Sequence, residues 1–378
     1  MSMTQHVVLA VNPGATSTKL ALFRDETLIE ERTLRHSDED LAPFETVADQ
    51  AGFRIAAVRR FLEEAAPERL DAVAARGGFL RPLASGTYRV DRTMRAELAA
   101  ADRGDHASNL GALIAHAVVT EHGAGDSAMA IGATSVPAFV VDPVCVDELA
   151  PVARISGLAG IERESLSHAL NTKAVARRYA AEVDRPYPDL RLVVAHLGTG
   201  ISVSAHRDGR MVDVSNPRDE GAMSPDRPGG LPTGPLVDRC FKTGAQRRRI
   251  RRELLGGGGL RSYLGTTDLQ EIRRRIAGGD GLASQVVDAM VYQIGKSIGE
   301  MASVLCGRVD AVLVTGGMAH DEALVAALDA RVSWIATLRI YPGEDELPAL
   351  AAGALRVLRG QEKVRVYGSE NDGSEVLI

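Results

Sequence analysis

Continuous apolar runs, each broken by a short polar turn, dominate the hydrophobic pattern of this chain. Residues 7–11 read Val-Val-Leu-Ala-Val, the turn Asn12-Pro13-Gly14-Ala15-Thr16-Ser17 follows, and a second apolar run fills 20–23. Two strands around a Gly/Ser/Thr turn predict a hairpin. Residues 192–207 repeat the pattern around Gly198-Thr199-Gly200, and Asp208-Gly209 adds a further hairpin turn. A third run, 309–314, enters Thr315-Gly316-Gly317. Further strands are predicted at 27–34, 71–75, 128–131 and 138–141. Helical periodicity marks 49–65, with Phe53, Val58, Phe61 and Leu62 inward, and also 106–122, 165–183, 281–305 and 347–358. Pro67 and Pro186 stop two of these helices.

The repeated strand–glycine turn–strand units lie half a chain apart, which suggests a duplicated fold with a nucleotide between its halves. The first turn is chemically loaded. Gly14 lets backbone approach a ligand, Thr16, Ser17 and the backbone N–H groups can donate, and Lys19 adds a cation. Such a set suits a phosphate or carboxylate, although one such turn alone is equally an ordinary polar hairpin. No GxxxxGK[ST] is present, and no GxGxxG joins a strand to a helix, so neither a P-loop nor a dinucleotide fold is indicated.

Other chemistry is spread along the chain. Arg76 precedes Gly77-Gly78, a doublet that would let backbone come close to a ligand, and its fork could hold an anion bidentately or be a surface charge. Asp142 ends an apolar strand, a position suited to a catalytic carboxylate or to a cap. The Pro/Gly-rich stretch 214–235, which carries Arg227, is long for a structural loop. Gly256 to Gly259 and Gly278-Gly279 read as flexible joints, and the basic run 247–252 as a solvated helix face.

Composition narrows the class. The chain has 378 residues, 45% hydrophobic and 25% charged, enough for two domains with separate cores. A net charge of −6 argues against nucleic acid as a partner. Cys145, Cys240 and Cys306 show no metal spacing and read as reduced thiols. No run of apolar residues is long enough to span a membrane, so a cytoplasmic protein is expected.

The motifs NPGATSTK, RGGFLRP, HASNLGALI, VDPVCVDEL, HALNTKAVARR, HLGTGIS, RPGGLP, YLGTTD, TGGMAH and YPGEDEL resemble, in order and over nearly the whole chain, those of the butyrate kinases. These form a branch of the acetate and butyrate kinase family within the actin/hexokinase/Hsp70 superfamily. The resemblance implies an α/β fold of two actin-like (ribonuclease H-like) domains with a duplicated mixed sheet, flanking helices and the nucleotide in the interdomain cleft. The expected domains are 1–155 and 156–346, with 347–378 as a terminal helix packing back on the first domain plus a loose tail. The implied reaction is reversible transfer from ATP to a short-chain carboxylate, giving ADP and an acyl phosphate, with Mg²⁺. Acetate or propionate kinase is the near alternative, a non-catalytic ATP sensor or a sugar kinase a more distant one. A homodimer or larger homo-oligomer is implied as well.

Residue by residue, the resemblance makes Asp142 catalytic and metal-linked, and Arg227 the stabiliser of the phosphoryl in flight. Arg76 would hold an anion. Asn12, Ser17 and Lys19 match the first phosphate turn, and His196, Gly198, Thr199 and Gly200 the second. Gly316 and Gly317 would lie under adenosine. The acidic run Glu344-Asp345-Glu346 matches the metal-linked region, with Glu344 and Asp345 the metal candidates and a plain helix start the other reading. His168 and Thr172 both fall near the family's phosphoryl-side histidine; His168 is the candidate. Three departures stand out: Ala15 for a serine, Thr199 for a glycine or asparagine, and Pro228 in the family's R-S-G motif. Phe79, Leu80, Pro82, Val144 and Val146 are candidates for the acid's hydrophobic pocket or for plain core.

Overall fold

The computed structural model describes residues 5–122 and 136–368. The expected 128–131 strand and most of the 368–374 tail lie outside them. The chain divides into two compact units, Met1–Val146 with Asp345–Ile378, and Asp147–Glu344. The first crossing comes ahead of the expected residue 155 because the intervening residues already bond to the second unit. Glu148 accepts from Met211 N, and Ala150 N donates to Val212 O, each at 2.8 Å.

In the first unit, Val7–Pro13 (β1), Ser17–Arg24 (β2) and Thr27–Arg35 (β3) form an antiparallel meander. Ala72–Arg76 (β4) runs parallel to β1 on its other side. Thr87–Arg89 (β5) and Ala138–Val141 (β6) follow, with β6 parallel to β4. A short Arg365–Val366 strand completes a mixed sheet ordered Arg365–Val366, β5, β6, β4, β1, β2, β3. All seven residues of β1 are buried, as a strand with both faces covered requires. The helices Leu110–His122 and Glu346–Leu358 both pack on β1, β4 and β6. Gly353 is obligatory there, since a Cβ would come within 2.7 Å of Val141 Cγ2.

The Ala51–Ala65 helix buries Arg54, Val58, Phe61 and Leu62, while Phe53 is only half-buried. A helix not foreseen, Arg92–Ala100, is capped by Asp91, whose side chain accepts from Met94 N.

The second unit repeats the ladder. Leu192–Leu197 (β7), Ile201–Arg207 (β8) and Arg210–Val214 (β9) form the meander. Ala311–Gly316 (β10) lies parallel to β7, and Leu338–Pro342 (β11) parallel to β10. The order β11-β10-β7-β8-β9 matches β6-β4-β1-β2-β3. Both sheets are mixed and flanked by helices, as the duplicated α/β reading expects.

Period-two alternation sorts the core. Val193, Ala195, Val312 and Val314 pack with the Gly281–Val304 helix, whereas Leu192, Val194, Ala311 and Leu313 pack with Val175, Ala176 and Tyr179 of the Ala169–Glu182 helix. That last helix starts later than expected, with His168 outside helical geometry at its N-cap.

Two glycine expectations are overturned. Gly258 and Gly259 are wedged rather than flexible: Gly258 N donates to Asp226 O at 3.0 Å, and a Cβ on Gly258 would sit 2.5 Å from Pro228 N. Gly77 and Gly78 are likewise filled by protein, not left open for a ligand. Cβ atoms there would lie 2.5 Å from Val140 Cγ1 and 2.6 Å from Asn109 Cα. The basic run lies on the Arg247–Gly256 helix, none of whose residues is buried.

Candidate functional site

In the first unit, three neighbouring parallel strands each deliver one expected residue at their C-terminal ends. Asn12 lies near the end of β1, Arg76 ends β4 and Asp142 follows β6. The carboxyl ends of parallel strands are the usual ligand edge of such sheets. Glu346, first residue of the Glu346–Leu358 helix, turns into this edge and is 6% exposed. Its Oε1 lies 2.9 Å from Arg76 NH1, and its Oε2 accepts from Asn12 Nδ2. Asn12 Oδ1 is buried and has no hydrogen-bond partner among the described residues.

Asp142 sits in the left-handed region at φ 38°, an uncommon conformation for a non-glycine residue. Its Oδ1 accepts from Ser85 Oγ at 2.6 Å and Gly86 N at 2.8 Å, which fixes the carboxylate. Strain of this kind costs roughly 1–3 kcal/mol and persists only where the surroundings impose it.

The Asn12–Ser17 turn is closed by Gly14 N donating to Ser17 O at 2.8 Å. Ala15, Thr16 and Lys19 are exposed and Ser17 is half-buried. Asn12 pairs with Lys19 across the hairpin.

In the second unit, His196 near the end of β7 is buried, with Nδ1 2.9 Å from Asn171 Oδ1. Its Nε2 has no hydrogen bond among the described residues and lies 3.3 Å from Glu344 Oε1. His168 stacks on His196, with centroids 3.8 Å apart and planes inclined by 14°, so two protonated rings would repel here. Gly198 is required by this pair, because a Cβ would come 2.9 Å from His196 Nε2.

Arg227 approaches the same turn, its NH1 3.4 Å from where a Gly200 Cβ would be. NH1 donates to Pro217 O at 3.3 Å, Nε is buried without a partner among the described residues, and Ser224 Oγ donates to Thr199 O. Thr199 itself is exposed. The neighbouring Asp226 has its carboxyl pushed up by burial, partly offset by the Arg227 and Arg261 charges. Gly316, at φ 95°, exchanges backbone hydrogen bonds with Gly343 and lies against Leu197, whereas among the described residues no atom comes within 4 Å of where a Gly317 Cβ would be.

The acidic run is therefore split. Glu346 meets Asn12 and Arg76, Glu344 faces His196, and Asp345 is exposed. Of the pocket candidates, Leu80 and Val146 are core, Phe79 and Val144 are half-buried, and Pro82 is exposed. Thr172 is buried in its helix and bonds to Ala169 O, whereas His168 stacks on His196. Sequence reasoning named Glu346 only as part of the acidic run, with Glu344 and Asp345 preferred, and it missed Arg54, which bonds to the carbonyls of the first turn. Position 54 falls on the 58/61/62 face of its helix, so its burial had a signal in the spacing.

Among the described residues, no group of three or more His, Cys, Asp or Glu side chains is arranged to hold a metal alone. Mg²⁺ asks for less, binding through one or two carboxylates together with substrate phosphates. The orphaned Asn12 Oδ1 beside the Glu346 carboxylate fits that demand.

The model of the acetokinase family matches residues 158–342. Butyrate kinase 1 of Clostridium acetobutylicum is 46% identical over 363 residues, 95% of this chain and 99% of that protein. Among solved structures, the acetate kinase of Porphyromonas gingivalis superposes with a TM-score of 0.74 at 19% identity, over 93% of this chain and 100% of its own. The propionate kinase of Francisella tularensis gives 0.72 at 17% identity, over 92% and 98%. At such identities the two structures speak for the fold.

Proposed function

The chain belongs to the acetokinase family as a butyrate kinase-like carboxylate kinase, and we propose that it moves the terminal phosphoryl of ATP reversibly onto butyrate or a branched acid such as isobutyrate. The acid is already ionised near neutral pH, so no strong base is needed. The task is to bring two anions together, which calls for cations and oriented donors around the transferring group.

The observation that carries this reading is Arg227. Its guanidinium lies against the Gly198–Thr199–Gly200 turn, is held by a backbone carbonyl, and makes no ion pair among the described residues. Its charge is free for a phosphoryl in flight. His196 Nε2 and His168 would face the same group, Asn12, Ser17 and Lys19 would take the nucleotide phosphates, and Gly317 would leave room for adenosine. Arg76 would hold an anionic oxygen while Glu346 keeps its fork oriented, and Asp142 would orient the acceptor. Asn12, Asp142 and Glu346 are the residues proposed to hold Mg²⁺, which when bound supplies charge neutralisation. We place the enzyme in the cytoplasm as a homo-oligomer, whose contacts would cover exposed residues such as Val152 and Ile155.

The test is a hydroxamate assay with ATP, Mg²⁺ and acids from acetate to valerate, run on wild type and Arg227→Ala. The expected result is a maximum at butyrate or a branched acid, with the variant losing ~10²–10³ in kcat, the effect of removing one preorganised donor. Absence of acyl phosphate from every acid, with ATP still bound, would overturn the reading.

A further inference from the structure

We propose that Arg54 is a positioning residue that aims the Asn12–Ser17 turn at the nucleotide phosphates; this rests on reading that turn as a phosphate site.

Arg54 lies in the first turns of the Ala51–Ala65 helix and is 0% exposed. Every arm of its fork is engaged. NH1 donates to Gly14 O at 2.7 Å, Ser17 O at 3.0 Å and Thr18 Oγ1 at 3.3 Å. NH2 donates to Ala15 O at 2.9 Å and Gln50 Oε1 at 2.9 Å, and Nε to Gln50 Oε1 at 3.2 Å. No carboxylate is among these partners. A fully buried cation is thus balanced by three turn carbonyls, a hydroxyl and one amide oxygen.

Two consequences follow from elementary geometry. In a trans peptide, the C=O of one residue and the N–H of the next point in opposite directions. Holding Gly14 O and Ala15 O on the guanidinium therefore turns Ala15 N–H and Thr16 N–H away from it, on the two residues of the turn that are exposed. Successive N–H groups directed outward from a turn form an anion-binding concavity. The second consequence is electrostatic. An uncompensated charge beneath the turn raises its potential, and a bound polyanion would complete the balance.

The same network fixes the other side of the hairpin. His36 N donates to Thr16 O at 2.9 Å, and its Nε2 lies 2.9 Å from Thr18 Oγ1. Burial, and after it the Arg54 charge, holds the His36 ring below the usual imidazole range, so it adds no second buried cation at neutral pH.

Lysine at position 54 would keep the charge but could not span three carbonyls with a planar fork. The experiment compares full-length wild type with Arg54→Lys and with Gln50→Met, which removes only the outer acceptor of the fork. ADP affinity is measured by calorimetry, and KM for ATP, KM for butyrate and thermal midpoint alongside. For Arg54→Lys, the ADP Kd and the ATP KM should rise about tenfold while the butyrate KM moves less than about twofold. Gln50→Met should shift the same pair in the same direction by about two- to threefold, with the midpoint unchanged.

Unchanged nucleotide affinity in both variants would overturn the assignment, as would equal changes in both KM values. If Arg54→Lys does not fold, Gln50→Met decides alone. A wild type that binds ADP but phosphorylates no acid would sink the kinase reading, while the ADP affinities of the variants would still judge Arg54.

Discussion

Replacing Glu346 separates a structural carboxylate from a functional one. The side chain is nearly buried, and Arg76, its ion-pair partner, has a side chain 19% exposed. Removing one member of a buried pair costs about 3–5 kcal/mol, and water reaching the exposed part of Arg76 lowers this to ~2–3 kcal/mol for Glu346→Ala. At about 2–4 °C per kcal/mol for units of this size, the thermal midpoint should fall by roughly 5–10 °C. Glu346→Gln keeps the shape and one oxygen for Asn12, but its amide NH₂ would face the Arg76 guanidinium and leave that charge without a counter-ion, a cost of ~1–3 kcal/mol. In the hydroxamate assay both variants should lose ~10²–10³ in kcat/KM. The Mg²⁺ concentration for half-maximal rate should rise by at least about tenfold in each. A glutamine variant with wild-type kcat and Mg²⁺ midpoint would refute the reasoning and leave Glu346 as a support for Arg76.

Further expectations concern packing and pH. Gly78→Ala drives a methyl into Asn109 backbone and should destabilise by more than ~3 kcal/mol, whereas Gly299→Ala, with nothing near its Cβ position, should stabilise the long helix by about 1 kcal/mol; thermal midpoints and soluble yields check both. His206 is fully buried, has its Nδ1 2.6 Å from the Tyr187 hydroxyl, and is held well below the usual imidazole range by burial and by the Lys173 and Arg177 charges. The folded state therefore refuses a proton that the unfolded chain takes up below about pH 6.5. Stability should fall as pH drops under that value, by ~1.4 kcal/mol per pH unit for this one group. Urea midpoints between pH 5 and 7 should show a shallower slope in His206→Gln; an unchanged slope would remove His206 from the account.

The central strands were legible because they are covered on both faces and so read as unbroken apolar runs, whereas Leu338–Pro342, with one buried residue in five, was not foreseen. The ends of the central strands were legible too: Asn12, Arg76 and Asp142 are the first polar residues after those runs, although Asn12 and Asp142 are themselves buried. What escaped depends on helix phase and on distant neighbours. Glu344, Asp345 and Glu346 are chemically alike, and only the residue that opens the final helix is rotated inward. Arg54 occupies the apolar face of its helix, but only the folded hairpin supplies the carbonyls that make a buried arginine tolerable. Gly77 and Gly78 read as a ligand approach because a sequence cannot distinguish glycine kept clear for a substrate from glycine kept clear for Val140 and Asn109. β5 is too short for any periodicity, while the Arg92–Ala100 helix did carry a signal in Asp91 followed by Met94 and Leu98.

The return of the chain to its first unit imposes an order on synthesis. Residues 147–344 form a continuous unit that can close as soon as it leaves the ribosome, but the earlier residues cannot finish first. Until the Glu346–Leu358 helix emerges, β1, β4 and β6 present an uncovered apolar face, and Arg76 and Asn12 lack their carboxylate. For most of its translation the nascent chain therefore lacks the carboxylate that pairs with Arg76 and Asn12. The last helix to be made both seals that face and supplies that carboxylate, so a chain truncated before it should be prone to association.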